Sequence, residues 1–191
     1  MIATERFEQI SIASMDELHR WLEASHARED SVWLVTWKKA EPARYVPHEA
    51  VLDALTAFGW TDGIMRKLDA ARVMQLISRR RQQRWAQSYK DRAARLIAEG
   101  RMHDAGLAAI ERSKAAGLWD TMNEVDALII PDDLDKALTT LAAKARWNAL
   151  APSYRRNVLR WVAAARTPPT RTKRTIAAAE STAEGRRLPQ I

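Results

Sequence analysis

The chain has no cysteine among its 191 residues. That excludes disulfides, thiolate metal sites and cysteine nucleophiles, and it suits a reducing cytoplasm. No apolar run approaches the roughly 20 residues that span a bilayer. The stretch from Met1 to Phe7 lacks a charged segment followed by an apolar one, so no signal peptide is expected. Metal motifs are missing as well. His19, His26, His48 and His103 lie far apart and form no HxxH or HExxH pattern, which assigns them to the surface or to helix caps. There is no GxSxG elbow and no Walker loop. The Gly59–Gly63 pair follows a helical pattern rather than a strand, so it is not a dinucleotide fingerprint. No cofactor is nominated.

What the chain does have is positive charge and tryptophan. The formal net charge is +7, which admits polyanions as partners, although most arginines on helix faces are simply solvated. Eight tryptophans are spread from Trp21 to Trp161. Spread of that kind marks core anchors rather than one stacking platform.

Taken in order, Phe7 to Ile12 alternates as a short strand. Ser14 and Glu17 form a capping box for a helix that buries Leu18 and Leu22. Ser31 to Lys38 is β-branched and aromatic and apolar on both faces, the pattern of a central, covered strand. Pro47 opens a helix carrying Val51, Leu52, Leu55 and Phe58, and Gly59 ends it. Gly63–Leu68 and Arg72–Ser78 read as two strands joined at Asp69-Ala70-Ala71, without the usual glycine of a hairpin. Helices follow from about Trp85 to Gly100 and from Asp104 to Ala116. Residues 118–135 are acidic. A helical part follows, with a cationic face at Arg155, Arg156 and Arg160, a break at Pro168 and Pro169, and a frayed end from Arg186. The fold class is α+β: a small antiparallel sheet packed by helices, then a helical C-terminal part. The domains are 1–117 (α+β), 118–135 (acidic connector) and 136–191 (helical).

One stretch concentrates chemistry: Ala57-Phe58-Gly59-Trp60-Thr61-Asp62-Gly63. A turn there exposes an aromatic face and a carboxylate at the sheet rim. Arg66 shares a strand face with Ile64 and Leu68, and Arg79, Arg80 and Trp85 follow. A carboxylate among arginines serves as an acceptor rather than a general acid. The competing reading has Asp62 satisfying turn N–H groups and Trp60 filling the gap between helix and sheet. Three functions follow. The first is a non-enzymatic binding module whose pocket of Trp60, Asp62, Arg66, Arg79, Arg80 and Trp85 takes a small anionic ligand or a protein segment. The second is a sequence-independent nucleic-acid binder using Arg80, Arg81, Arg84, Arg155, Arg156 and Arg160, with Trp85 or Tyr89 stacking on a base. The third is an enzyme with Asp62 as key carboxylate. It ranks last, because no partner base or nucleophile is in view.

The blocks Phe58-Gly59-Trp60-x-Asp62-Gly63, Leu96-Ile97-x-x-Gly100-Arg101-Met102, Pro152-Ser153-Tyr154-Arg155-Arg156 with Trp161, and Ala165 to Arg174 stand in an order that resembles the YdeI/OmpD-associated proteins. These are small bacterial proteins often labelled bacteriocin-protection proteins. Many relatives carry an S-x-W-S-x-x-N pattern where this chain has Gln83, Ala86 and Tyr89 around Trp85. The resemblance implies a cytoplasmic bacterial protein with an α+β N-terminal part and a helical C-terminal part. It implies no catalytic residue.

Overall fold

The computed structural model describes residues 6–81, 84–189 and 191. Gln82 and Gln83 of the arginine run, and most of the segment read for a leader, lie outside them. The chain forms two compact units, one up to Asp120 and the other Thr121–Ile191.

The first unit contains β1 (Gln9–Ser11), α1 (Met15–Ser25), β2 (Val32–Trp37), α2 (His48–Ala57), β3 (Trp60–Lys67), β4 (Arg72–Arg79), α3 (Gln87–Ala98) and α4 (Asp104–Ala115). Its sheet runs β1-β2-β4-β3. β2, β4 and β3 are antiparallel neighbours, as expected, but β1 joins β2 in parallel, so the sheet is mixed. The reason is the crossover through α1, which returns the chain in the same direction. β2 is interior, and its residues Val32 to Val35 are all buried. Leu18 and Leu22 of α1 and Val51 and Leu55 of α2 pack with Val32, Leu34, Trp60 and Ile77 into one core. The Ser14 hydroxyl caps α1 by accepting from Glu17 N at 3.2 Å, while Glu17 accepts from Ala13 N at 2.7 Å.

The turn of the β3–β4 hairpin lacks glycine because Asp69 closes it. Its carboxylate accepts from the N–H groups of Ala71 (2.9 Å) and Arg72 (2.7 Å) and from Arg72 Nε, an Asx turn. Lys38 Nζ pins the turn from outside through the carbonyls of Asp69 and Ala70.

The turn between α2 and β3 is shorter than the sequence suggests. Only Phe58 and Gly59 lie between the two elements, and Asp62 and Gly63 are already strand. Gly59 has φ +72°, the left-handed geometry that ends a helix. The junction docks tightly on α4. A Cβ on Gly106 would stand 2.1 Å from the Ala57 carbonyl oxygen, and one on Gly59 2.7 Å from the Ala105 oxygen.

Charge fastens α2 to α3. Asp53 accepts from Arg92 and, at 2.6 Å, from Arg95, while Glu49 accepts from Arg92 at 2.7 Å. Burial pushes the Asp53 pKa up, but the hydrogen bonds and charges of Arg95 and Arg92 outweigh it and hold the carboxyl below its ordinary value. A lowered folded-state pKa stabilises above the unfolded-state pKa and ceases to do so as pH falls through the folded value. Asp53→Asn should therefore cost about 1–3 kcal/mol at pH 7, the scale of charged hydrogen bonds. The difference from the parent should begin to shrink as pH falls below about 4, the unfolded-state value, and vanish only below the lowered folded-state value. Urea midpoints at pH 7 and pH 3 check this.

The second unit holds α5 (Asn123–Asp126), α6 (Asp132–Thr140), α7 (Lys144–Ala149), α8 (Pro152–Ala163) and α9 (Pro168–Ala183). Leu134, Leu138, Trp147, Val158 and Ala179 form its core. Asp133 does not cap α6 by the usual N-cap contact. It accepts from its neighbour Leu134 N (2.9 Å) and from Arg171 Nε (2.6 Å) and Nη2 (3.0 Å), stapling α6 to α9. Toward the chain end, where fraying is expected from Arg186, Leu188 is buried and its N–H donates to the Tyr154 hydroxyl at 2.8 Å. Among the described residues, no helix is long and apolar enough to cross a membrane.

Candidate functional site

Six residues were expected to converge: Trp60, Asp62, Arg66, Arg79, Arg80 and Trp85. The structure keeps Arg80 with Trp85 and Arg79 with Arg80, and turns Trp60 and Arg66 away from them. Trp60 is wholly buried, meets Trp21 edge-on at 5.3 Å and donates from Nε1 to the His26 carbonyl at 3.3 Å. It offers no open face. Asp62 is engaged on both oxygens, by the Tyr89 hydroxyl and by Gln75 Nε2 at 3.1 Å. Burial, then the hydrogen bond to Asp62 and its charge, push the Tyr89 pKa upward, so the phenol stays a donor.

Arg66 is on the other side of the sheet. Asp62 pairs with Ile77, but Met65 pairs with Gln75, so Gly63 and Ile64 together oppose Leu76 alone. This is a β-bulge, and one extra residue reverses every following side chain. Arg66 then faces Met74's side of the sheet and lies over Trp33 at 5.4 Å.

Arg79 and Arg80 take different courses. Arg79 Nη1 donates to Glu29 and to the Ala27 carbonyl (3.3 Å). Arg81 Nη2 reaches the Glu29 carbonyl at 2.8 Å and the Glu29 carboxylate at 2.6 Å. Arg80 turns inward and is only 3% exposed. Its guanidinium lies 4.2 Å from the Trp85 ring and 4.5 Å from the Tyr89 ring. The base-stacking faces of Trp85 and Tyr89 are thus given to an arginine of the same chain. Trp85 itself is 1% exposed.

Arg80 is incompletely satisfied. Its Nε is buried without a hydrogen-bond partner. Among the described residues, its guanidinium meets no carboxylate within ion-pair distance. Burial pulls its pKa down to about 10, offset in part by Tyr89 and Asp62. A buried guanidinium with no carboxylate in contact is costly, and the stacked rings and the charge of Asp62 offset only part of that cost.

Arg80 lines an open cleft of about 430 Å³ together with Glu29, Arg79, Arg81 and Arg112. Arg112 comes from α4 and donates from Nη2 to the Arg80 carbonyl at 3.3 Å. Four arginines against one glutamate make the cleft strongly cationic. Arg79 and Arg112 also line a second hollow beside Phe58, His26 and His103. There His103 stacks on Phe58 at 4.6 Å and lies 4.8 Å from His26. His103 Nδ1 accepts from Ala105 N at 3.1 Å, so it caps α4 as an unprotonated nitrogen. Glu29 and Arg112 escaped sequence reasoning, since a turn glutamate and an arginine in the last turn of a helix carry no local mark of a site.

The second arginine face lies in the C-terminal unit and is partly neutralised. Asp126 stands 3.5 Å from Arg156 Nε and 3.2 Å from Arg160 Nη2. One residue of the acidic stretch, Asp126, thus pairs with the cationic helix face. Arg84 is exposed, and Arg155 keeps a buried Nε without a partner.

Residues 10–109 match a family described as a domain of unknown function (DUF8412), and residues 127–185 match the family described as bacteriocin-protection, YdeI or OmpD-associated. No match was found among curated proteins or among solved structures. The Phe58–Gly63 and Leu96–Met102 blocks fall in the first match, and those at 152–161 and 165–174 in the second. The arginine cleft reaches from the first match to Arg112, just beyond its end. The chain therefore belongs, through just over half its length, to the DUF8412 family, and carries at residues 127–185 the bacteriocin-protection, YdeI or OmpD-associated domain that its sequence resembles.

Proposed function

We propose that this protein is a non-enzymatic binding module of the bacterial cytoplasm, whose N-terminal unit captures a small anionic ligand in the arginine cleft. One observation carries the reading: Arg80 is a buried cation with an unpartnered Nε on the wall of a cationic cleft. The reading shifts the site away from Trp60, Asp62 and Arg66 and keeps Arg79 and Arg80. The absence of cysteine is in keeping with that compartment. A protective role of the kind the C-terminal match describes would follow from capture rather than turnover.

Ligand capture raises stability by mass action, by about 2.7 kcal/mol at one hundred times the Kd. Thermal unfolding of the parent in citrate or phosphate, against sodium chloride of equal ionic strength, should show that rise. The Arg79→Gln/Arg112→Gln double variant should not. A parent that responds no more to these anions than to chloride sinks the reading.

The nucleic-acid reading has less support, since Arg81, Arg156 and Arg160 pair with carboxylates of the chain. The enzyme reading has less still, because both oxygens of Asp62 are engaged.

A further inference from the structure

Resting on the anion-capture reading, the chemistry of the cleft can be taken one step further. Its four guanidiniums fall into two pairs. Arg79 and Arg81 share the Glu29 carboxylate. Arg80 and Arg112 have no carboxylate partner among the described residues. The two guanidiniums without a carboxylate therefore present two charges, within a lining whose four arginines and one glutamate leave three.

Geometry narrows the ligand. Ring faces of Trp85 and Tyr89 approach the Arg80 guanidinium, so the donors left for a ligand are the in-plane N–H groups, of which Nε is buried and without a partner. Side-on donors of this kind suit a group offering two oxygens at once. The same group must reserve acceptor capacity and charge for Arg112. One carboxylate carries a single charge on two oxygens and leaves one guanidinium unmet. A phosphodiester also carries only one charge. A phosphate monoester offers three terminal oxygens and a charge near −2 at neutral pH, with a second pKa of about 6. The hollow, at about 430 Å³, falls in the range that holds small organic ligands rather than a bare ion.

We infer that the cleft takes a small organic phosphate monoester, its dianionic group held between Arg80 and Arg112.

Calorimetric titration of the full chain at pH 8 and matched ionic strength tests this with four probes: phenyl phosphate, inorganic phosphate, succinate and a ten-residue oligothymidylate. Phenyl phosphate should bind at least tenfold tighter than each of the others, and weaken about fourfold on going to pH 5.5, where roughly a quarter of the ester remains dianionic. Arg112→Gln, an exposed position where the fold is not at stake, should weaken phenyl phosphate at least tenfold. Succinate binding as tightly as phenyl phosphate would overturn the phosphate assignment and leave the cleft reading standing. Inorganic phosphate binding as tightly would overturn the organic part, and preference for the oligonucleotide would replace the monoester with a nucleic acid. Equal binding of phenyl phosphate by the parent and Arg112→Gln would place any binding outside the cleft, and both readings would fall.

Discussion

Trp60→Ala should lose about 3–5 kcal/mol of folding stability, the range for emptying a large aromatic site in a core. The side chain is wholly buried among Leu18, Leu22, Val51 and Leu55, and its ring edge meets Trp21. The surrounding backbone belongs to two helices and a sheet, which limits collapse into the void. Trp60→Phe should cost less but still more than the area lost, because the His26 carbonyl forfeits its donor at 3.3 Å. Urea unfolding followed by far-UV dichroism reads both values. Anion binding by Trp60→Phe should equal that of the parent, since Trp60 does not line the arginine cleft. A loss below about 1 kcal/mol for Trp60→Ala would mean that the residue is not the anchor described.

Gly106→Ala should destabilise by about 3 kcal/mol, at the upper end of the overpacking range. The sign makes the test sharp. Gly106 lies inside α4, where alanine is normally better by about 0.5–1 kcal/mol. Propensity therefore predicts a gain and contact a large loss. The contact decides, because the added carbon would sit 2.1 Å from a backbone oxygen, that of Ala57, rather than from a side chain able to swing aside. The same carbonyl accepts from His103 N at 3.2 Å, so moving it disturbs the cap of α4. α4 also carries Arg112, and the variant should bind anions more weakly in proportion to its displacement. A urea midpoint equal to or above that of the parent would rule out the tight junction.

Much of the fold follows from local pattern. The apolar run at Val32–Trp37 declared an interior strand, Ser14 and Glu17 declared a helix start, and Gly59, Gly100 and Gly117 stand at helix ends. The candidate site was less legible, for three reasons tied to particular residues. First, the bulge at Gly63-Ile64 reverses Arg66; the isolated glycine was the available sign, and glycine in a strand also has blander uses. Second, an arginine run reads as solvated, yet Arg80 is enclosed while its neighbour Arg81 is open. Only Trp85 and Tyr89, five and nine residues later in the chain, hinted that a cation could be sandwiched. Third, His26 and His103 are far apart in sequence, and it is the docking of α4 on the Phe58 turn that places their rings 4.8 Å apart.

The bulge in β3 also bears on how copies of this protein meet one another. β3 is a border strand of the sheet, and Gly63 to Lys67 are exposed along it. A straight border of that length, with Ile64 and Met65 half uncovered, is a template on which a second chain can lay its own strand and start a ribbon. The doubled residue at Gly63-Ile64 breaks the spacing of N–H and C=O groups that such a ribbon must match, and Arg66 and Lys67 set like charges against like at the next rungs. The irregularity that separates Arg66 from Asp62 is thereby also a guard against growth from one molecule to the next.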